Sequence, residues 1–193
     1  MVPGVIGLIL MVVTLIITSL AIVREKENGN IEQMIVTPVK QREIIMGKII
    51  PYIIIGLIDI IIITLVSLLI FNISFKGSFL LLIILSLFMI FTNLGIGIFI
   101  STISETQQQA MLTAIFFILP NILLSGFIFP IKNMPVILQY FTYLIPMRYY
   151  MVIIRGIFLK GNTFYELLPQ TFALFLFGMV IFTFATWKFK KTL

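Results

Sequence analysis

Cysteine and histidine are both absent from the 193 residues. Disulfides, thiol nucleophiles and the usual zinc sites are therefore excluded. Charge is nearly as scarce: 10% of residues are charged and 61% are hydrophobic, with a mean hydropathy of +1.21. A soluble domain carries roughly 25% charged residues to cover its surface. Much of this surface must face lipid instead, and no polar stretch is long enough to house a soluble domain. The sequence has no clustered carboxylate pair and no Gly-x-x-x-x-Gly-Lys-Ser/Thr phosphate loop. The chain itself is therefore not expected to be an enzyme. A net charge of +6 could suggest nucleic acid, but the basic residues sit at the ends of apolar runs, as in the loops of membrane proteins. No nucleic-acid partner is expected.

What the sequence does have is long uncharged runs. A bilayer core of about 30 Å needs roughly 20 helical residues. The first 23 residues carry no charge, and residues 49–75 carry only Asp59. Residues 77–104, 106–131 and 167–187 carry none. These five runs are the expected spans. They are too long for strands and lack period-two alternation, and lipid leaves the helix as the way to satisfy the backbone. The fold class is thus all-α, a polytopic transmembrane protein. The first run is expected to be a span and not a signal peptide, entered through a turn at Met1-Val2-Pro3-Gly4. Residues 24–48 and the C-terminal tail hold eight Lys and Arg, against five in the opposite loops. The positive-inside rule then places both in the cytoplasm and the N-terminus outside.

The loop after the first run concentrates charge in an ordered way. Asn30 is suited to cap a helix, with Gln33 as reciprocal partner. Ile31, Met34 and Ile35 then share one face. Thr37-Pro38 ends that short helix and caps the next, which runs through Gly47-Lys48 into the membrane. A short amphipathic helix lying across the inner face is suited to be pushed by a partner, or it simply anchors the loop in headgroups.

The run from Arg24 to Met34, then Thr37-Pro38-Val39, Gly47-Lys48 and Pro51-Tyr52, resembles the type-2 ABC transporter permease family. Asn30 stands where that family usually has Thr, a change that keeps the capping role. Leu124-Ser125-Gly126-Phe127, Phe129-Pro130, Met134-Pro135, Pro146, Arg155-Gly156 and Lys160-Gly161 resemble its later segments, in order along the whole chain. The resemblance implies that Glu25, Glu27, Gly29, Asn30, Ile31, Glu32, Met34, Thr37 and Pro38 belong to a coupling helix that docks on a separate ATP-binding subunit. It implies a second permease protomer, with the path between the two, and ATP and Mg held by the partner subunit and no cofactor in this chain. Such permeases usually have six spans, often with a large external domain after the first. By that pattern residues 1–193 form one permease domain starting at the second span.

Residues 130–168 hold two apolar stretches, 134–144 and 149–159, split by Ile145-Pro146. Each is too short to cross and suits a half-helix that dips in and returns. The resemblance makes this an external re-entrant gate, carried by Pro130, Pro135, Pro146, Arg148 and Arg155. Arg148 and Arg155 fall on nearly one helix face, where they meet phosphates or an anionic cargo, or else snorkel to the interface. Tyr140, Tyr143, Tyr149 and Tyr150 suit the headgroup level.

Within the spans, Asp59 costs about 2.5–3.5 kcal/mol to insert, so it should face protein or water. It is either a proton-coupling carboxylate or a structural group bonded to Thr64 or to a neighbouring Ser or Asn. Asn93, Gly95 and Gly97, and Asn121, Ser125 and Gly126, are groups that let helices approach or that line a path. Glu105 with Gln107, Gln108 and Gln109 forms a compact inner loop suited to touch a partner. Three functions remain in contention. The first is a permease exporting hydrophobic drugs, lipids or peptides by ATP-driven alternating access. The second is a proton-coupled secondary transporter using Asp59, and the third a non-transporting membrane scaffold.

Overall fold

The computed structural model describes residues 2–28, 41–71 and 75–192. All regular structure among them is helical: α1 (Val2–Glu27), α2 (Gln41–Phe71), α3 (Phe79–Ile103), α4 (Gln107–Leu124), a 3₁₀ turn (Ile131–Asn133), α5 (Val136–Thr142), α6 (Pro146–Arg155), a π turn (Gly156–Lys160) and α7 (Phe164–Thr192). Five helices are long and apolar enough to cross a membrane: Val2–Glu27, Ile49–Ile70, Phe79–Ile103, Gln107–Leu124 and Phe164–Ala185. They are the five runs expected from the charge pattern, and the all-α, polytopic class holds. The opening differs from expectation. The helix already includes Pro3 and Gly4, because proline fits the first helical turn, where its missing N–H is no loss.

α3 occupies the centre of the bundle, packed against α1 and α7 along most of its length and against α2 and α6 over shorter stretches. Helices in lipid gain little from the hydrophobic effect alone; close packing and interhelical hydrogen bonds bring them together. The residues of α3 supply both. Gly97 lies so close to α1 that an added Cβ would sit 2.6 Å from Thr18 Cβ and 3.2 Å from the Ser19 backbone nitrogen. Gly95 gives α7 the same latitude, with the Phe182 backbone nitrogen 3.3 Å from where its Cβ would lie. By contrast, α2 buries only a narrow stripe through Gly56, Ile60, Thr64 and Ser67, leaving Ile54, Ile58, Ile62, Leu65 and Leu69 on the outside. α4 is similarly open, with Leu112, Phe116, Leu119 and Leu123 exposed along one side and Ala110, Ala114 and Ile118 buried along the other.

The helix ends are set locally. Ser78 caps α3, accepting from the Leu81 N–H at 3.5 Å. Thr106 caps α4, accepting from the Gln109 N–H at 3.2 Å, while Gln109 Oε1 reaches back to the Glu105 N–H at 2.9 Å. Glu166 Oε2 accepts from the Thr163 N–H at 3.0 Å where α7 begins. Gly126, at φ 80°, turns the chain out of α4 in a conformation that favours glycine. Beyond it, the two short apolar stretches form α5 and α6, joined by residues 143–145. The π turn after α6 holds the α2–α3 connection, with the Lys76 N–H donating to the Phe158 carbonyl at 3.2 Å. The Phe75 and Phe158 rings meet edge to face at 4.8 Å.

Two glycines should respond in opposite ways. Gly97→Val should destabilise the bundle by about 1–3 kcal/mol, because the atoms it meets are backbone and Cβ atoms that cannot rotate away. Gly47 is exposed in α2 with nothing within 4 Å of its Cβ position. Gly47→Ala should be neutral or stabilise by about 0.5–1 kcal/mol through helix propensity. Thermal unfolding of the two variants in detergent micelles reads the contrast.

Candidate functional site

The sequence points to three places: the junction after the first span, the intramembrane polar residues and the segment of short helices. At the junction, Gly29, Asn30, Ile31, Glu32, Met34, Thr37 and Pro38 lie outside the described residues, while Glu25 and Glu27 are placed. The end of α1 is fastened to the end of α3, to the residue after it and to the start of α4. The Val23 N–H donates to Ser101 Oγ at 2.9 Å in a buried contact, and Lys26 Nζ donates to the Ser104 carbonyl at 3.3 Å. The Glu27 carboxylate accepts from the Gln107 N–H at 2.9 Å through one oxygen, and from Gln107 Nε2 through the other. Gln107 is the first residue of α4, so Glu27 satisfies a donor that has no partner within its own helix and complements the positive end of the helix dipole. Glu25 is half-buried in the same turn, within electrostatic range of Tyr52 on α2.

The intramembrane polar groups divide into those that tie helices together and those that do not. Asn93 is buried and donates from Nδ2 to Thr14 Oγ1 at 2.9 Å, joining α3 to α1. Ser86 on α3 lies 2.7 Å from the Tyr150 hydroxyl on α6. Thr92 Oγ1 reaches the Leu174 carbonyl of α7 at 3.3 Å. Asn121, also buried, donates to the Phe117 carbonyl of its own helix at 2.9 Å, beside the break in the hydrogen-bond ladder that Pro120 imposes. Asp59 is half-buried on α2, and its Oδ2 is enclosed without a hydrogen-bond partner, as is Thr64 Oγ1. The expected Asp59–Thr64 bond is thus not made. Five residues along a helix is about 140° around it, so the two side chains leave different faces. Tyr150, unlike Tyr140 and Tyr143, is fully buried within the protein. It shares the inner face of α6 with Met147, Met151, Ile153 and Ile154.

Both arginines of the short-helix segment hold backbone. Arg148, in the first turn of α6, donates to Thr142 Oγ1 and to the Gln139 carbonyl at 3.4 Å, and its guanidinium lies 3.7 Å from the Tyr143 ring centroid. It thereby closes the C-terminus of α5. Arg155 donates to the Gly126 carbonyl at 3.1 Å and the Phe127 carbonyl at 3.5 Å, tying α6 to the end of α4. Pro146 starts α6 and Pro135 precedes α5, both positions where a missing N–H costs nothing. Pro130 precedes the 3₁₀ turn. Between α4 and this segment lies an apolar groove of about 550 Å³, lined by Phe116, Leu119, Leu123, Phe129, Pro135 and Leu138, with Asn133 as its polar wall. Among the described residues no group of three or more Cys, His, Asp or Glu side chains is placed to hold a metal ion.

At these places the described polar side chains mostly bind backbone or neighbouring helices, and the groove presents mainly apolar side chains. Against that geometry the comparisons with known proteins are specific. The model of the ABC-2 type transporter family matches residues 1–159. The chain belongs to that family. The Escherichia coli (strain K12) protein named "Probable multidrug ABC transporter permease YbhS" is 38% identical over 164 residues, 83% of this chain and 43% of YbhS. Its counterpart YbhR, of the same printed description and strain, is 35% identical over 159 residues, 82% of this chain and 43% of YbhR. "Inner membrane transport permease YhhJ" of that strain is 30% identical over 183 residues, 93% of this chain and 48% of YhhJ. The chain spans about half the length of the curated relatives it matches. No solved structure matches. The ABC-2 membership and the five apolar helices together make this a multi-pass membrane protein.

Several residues of this ABC-2 chain that matter structurally were not singled out from the sequence. Ser86, Ser101 and Thr14 are among them. The available signal was their spacing on α3, where Ser86, Asn93 and Ser101 fall at intervals of seven and eight and so recur on one side. Gln107 appeared as part of a loop open to a partner, whereas its side chain and N–H are both engaged by Glu27.

The Ser86–Tyr150 pair gives an asymmetric expectation. Ser86 Oγ donates to the Leu82 carbonyl at 2.6 Å, so the shared hydrogen of the pair comes from Tyr150. Ser86→Ala leaves a buried tyrosine donor without a partner and should cost about 1–3 kcal/mol. Tyr150→Phe removes that donor and should cost less, and the double variant should be more stable than Ser86→Ala alone. Unfolding midpoints of the three variants in one detergent check the order.

Proposed function

We propose that this chain is the membrane-spanning part of a permease subunit of an ATP-binding-cassette exporter. It moves hydrophobic drugs, lipids or peptides outward by alternating access, powered by a separate ATPase subunit. The observation that carries this reading is the ABC-2 match across residues 1–159, together with relatives whose printed names are multidrug ABC transporter permeases. The chain contributes no phosphate loop, so ATP and Mg belong to the partner. Residues 24–48 and the C-terminus face the cytoplasm in this reading, with residues 30–38 as the segment that meets the ATPase. A second permease protomer, identical or related, completes the path. The whole of residues 1–193 is then one permease domain, and α5 and α6 are the external re-entrant hairpin that closes its exit.

The geometry fits such a role in two respects. A path for apolar cargo requires walls without fixed charge, and the groove between α4 and the short helices has that character. A device driven from the cytoplasm needs a stiff connection from its driven loop into the bundle, and the end of α1 is bonded to the last turn of α3, to Ser104 just beyond it and to the first residue of α4. Rigid-body shifts of packed helices then do the work.

One observation favours the second reading, a proton-coupled transporter. Asp59 carries an enclosed oxygen without a partner, at a depth where an unpaired acid is costly. The two readings part at a single substitution. Asp59→Asn should leave efflux within about twofold of the native rate in the permease, since no proton passes through it; in a proton-coupled carrier it should abolish transport. The direct test is isolation of the tagged protein from its native membrane in detergent, with mass spectrometry of what accompanies it. An ATP-binding subunit should co-purify and be lost when residues 30–38 are scrambled. A folded protein that brings no ATPase from that membrane would overturn the reading.

A further inference from the structure

We propose that Glu27 is a positioning residue within the permease, delivering the movement of the cytoplasmic loop to α4 through Gln107. It is not itself part of the surface that binds the ATPase. The proposal rests on the permease reading and assigns one of its residues a different task. Both carboxylate oxygens of Glu27 are occupied by the same neighbour, one by the Gln107 N–H at 2.9 Å and one by Nε2. Glu27 is exposed, and both oxygens of its carboxylate are turned to the start of α4. The contact lies three residues before position 30, where the segment that meets the ATPase starts in the permease reading, so a displacement of that segment reaches Glu27 first.

What Glu27 holds is the start of the span best placed to move. α4 keeps one long side exposed and packs mainly on α1, with Ala110, Ala114 and Ile118 buried along its inner side. The two neighbouring contacts of the same turn go elsewhere. Val23 bonds Ser101, in the last turn of α3, and Lys26 bonds the Ser104 carbonyl just beyond it. The end of α1 thus grips α3 with Val23 and Lys26, and α4 with Glu27. Gln107 offers two donors to one carboxylate at the N-terminus of its helix, where the dipole adds attraction. The first turn of α4 must follow Glu27 when α1 shifts.

The sequence supplies a clean background for the test, since it has no cysteine. Gln108 is exposed beside the contact, and Gln108→Cys makes it the one maleimide-reactive site of this chain in the assembled transporter with its co-purified ATPase. Labelling is compared without nucleotide and with ATP plus vanadate. The native contact should give a nucleotide-dependent change in labelling rate. Glu27→Ala should abolish that change while the ATPase still co-purifies and still hydrolyses ATP. Gln107→Pro is the second variant: it deletes both donors, yet proline suits the first helical position and Thr106 already has the extended conformation (φ −124°, ψ 154°) that must precede it. It should behave like Glu27→Ala. The exchange Glu27→Gln with Gln107→Glu keeps an acceptor at 27 and a side-chain pair, and should restore the change.

Three results overturn the proposal. Loss of the ATPase from Glu27→Ala, with retention in Gln107→Pro, would make Glu27 a docking residue. A nucleotide-dependent change that survives both variants, or is absent with the native contact, would mean that α4 is not driven through Gln107. Absence of any ATPase from the native preparation would remove the permease reading itself, a failure distinct from the other two.

Discussion

The bundle depends on one helix whose polar side chains are spent on its neighbours. In lipid, apolar side chains gain little by leaving the solvent, so a helix pair needs close backbone approach or a hydrogen bond to persist. α3 provides these in several directions. Asn93 reaches Thr14 of α1, Ser86 meets Tyr150 of α6, Thr92 reaches a carbonyl of α7, and Ser101 accepts from the end of α1. Gly95 and Gly97 bring α7 and α1 close enough for those bonds to form. Fifteen residues of α3 are buried, and the cross-helix contacts of the membrane interior converge on it.

That arrangement divides the molecule into a tied part and a loose part. α1, α3, α6 and α7 are bonded together. α2 and α4 lie at the outside, held by narrow stripes of small or apolar side chains and exposing long apolar faces. In the permease we propose, the tied helices serve as the body and α4 as the element that moves or meets the second protomer. The two arginines of the short-helix segment fix its other end, since Arg148 closes α5 and Arg155 binds α6 to the turn after α4. One end of α4 is thus governed by Glu27 and the other by Arg155. Toward its C-terminal end it carries Pro120, a point of lower backbone stiffness, beside the apolar groove.

Much of the fold was legible because its cause is composition. An uncharged run longer than the bilayer is thick must span it, and the five runs became the five long helices. The two half-length helices were legible from length and from Pro146. Rotation about the helix axis was not. A span that is apolar all round has no amphipathic face to reveal its inside, so the inward stripe of α2 through Gly56, Ile60, Thr64 and Ser67 could not be told from its outer face. Nor does sequence show pairings between residues about 80 positions apart, such as Glu27 with Gln107 or Thr14 with Asn93. The segment at 29–40, one of the pieces that carried the family resemblance, lies outside the described residues, and its coupling role stands as part of the proposal.

The claim that α3 holds the bundle through its polar side chains is tested most directly by a double-mutant cycle on Thr14 and Asn93. Thr14→Ala, Asn93→Ala and the double variant would be unfolded reversibly from bilayer-like micelles, and their stabilities compared. The account predicts a coupling of about 0.6–1.7 kcal/mol between the two positions. Strictly additive losses would contradict it, leaving packing alone to hold α1 against α3.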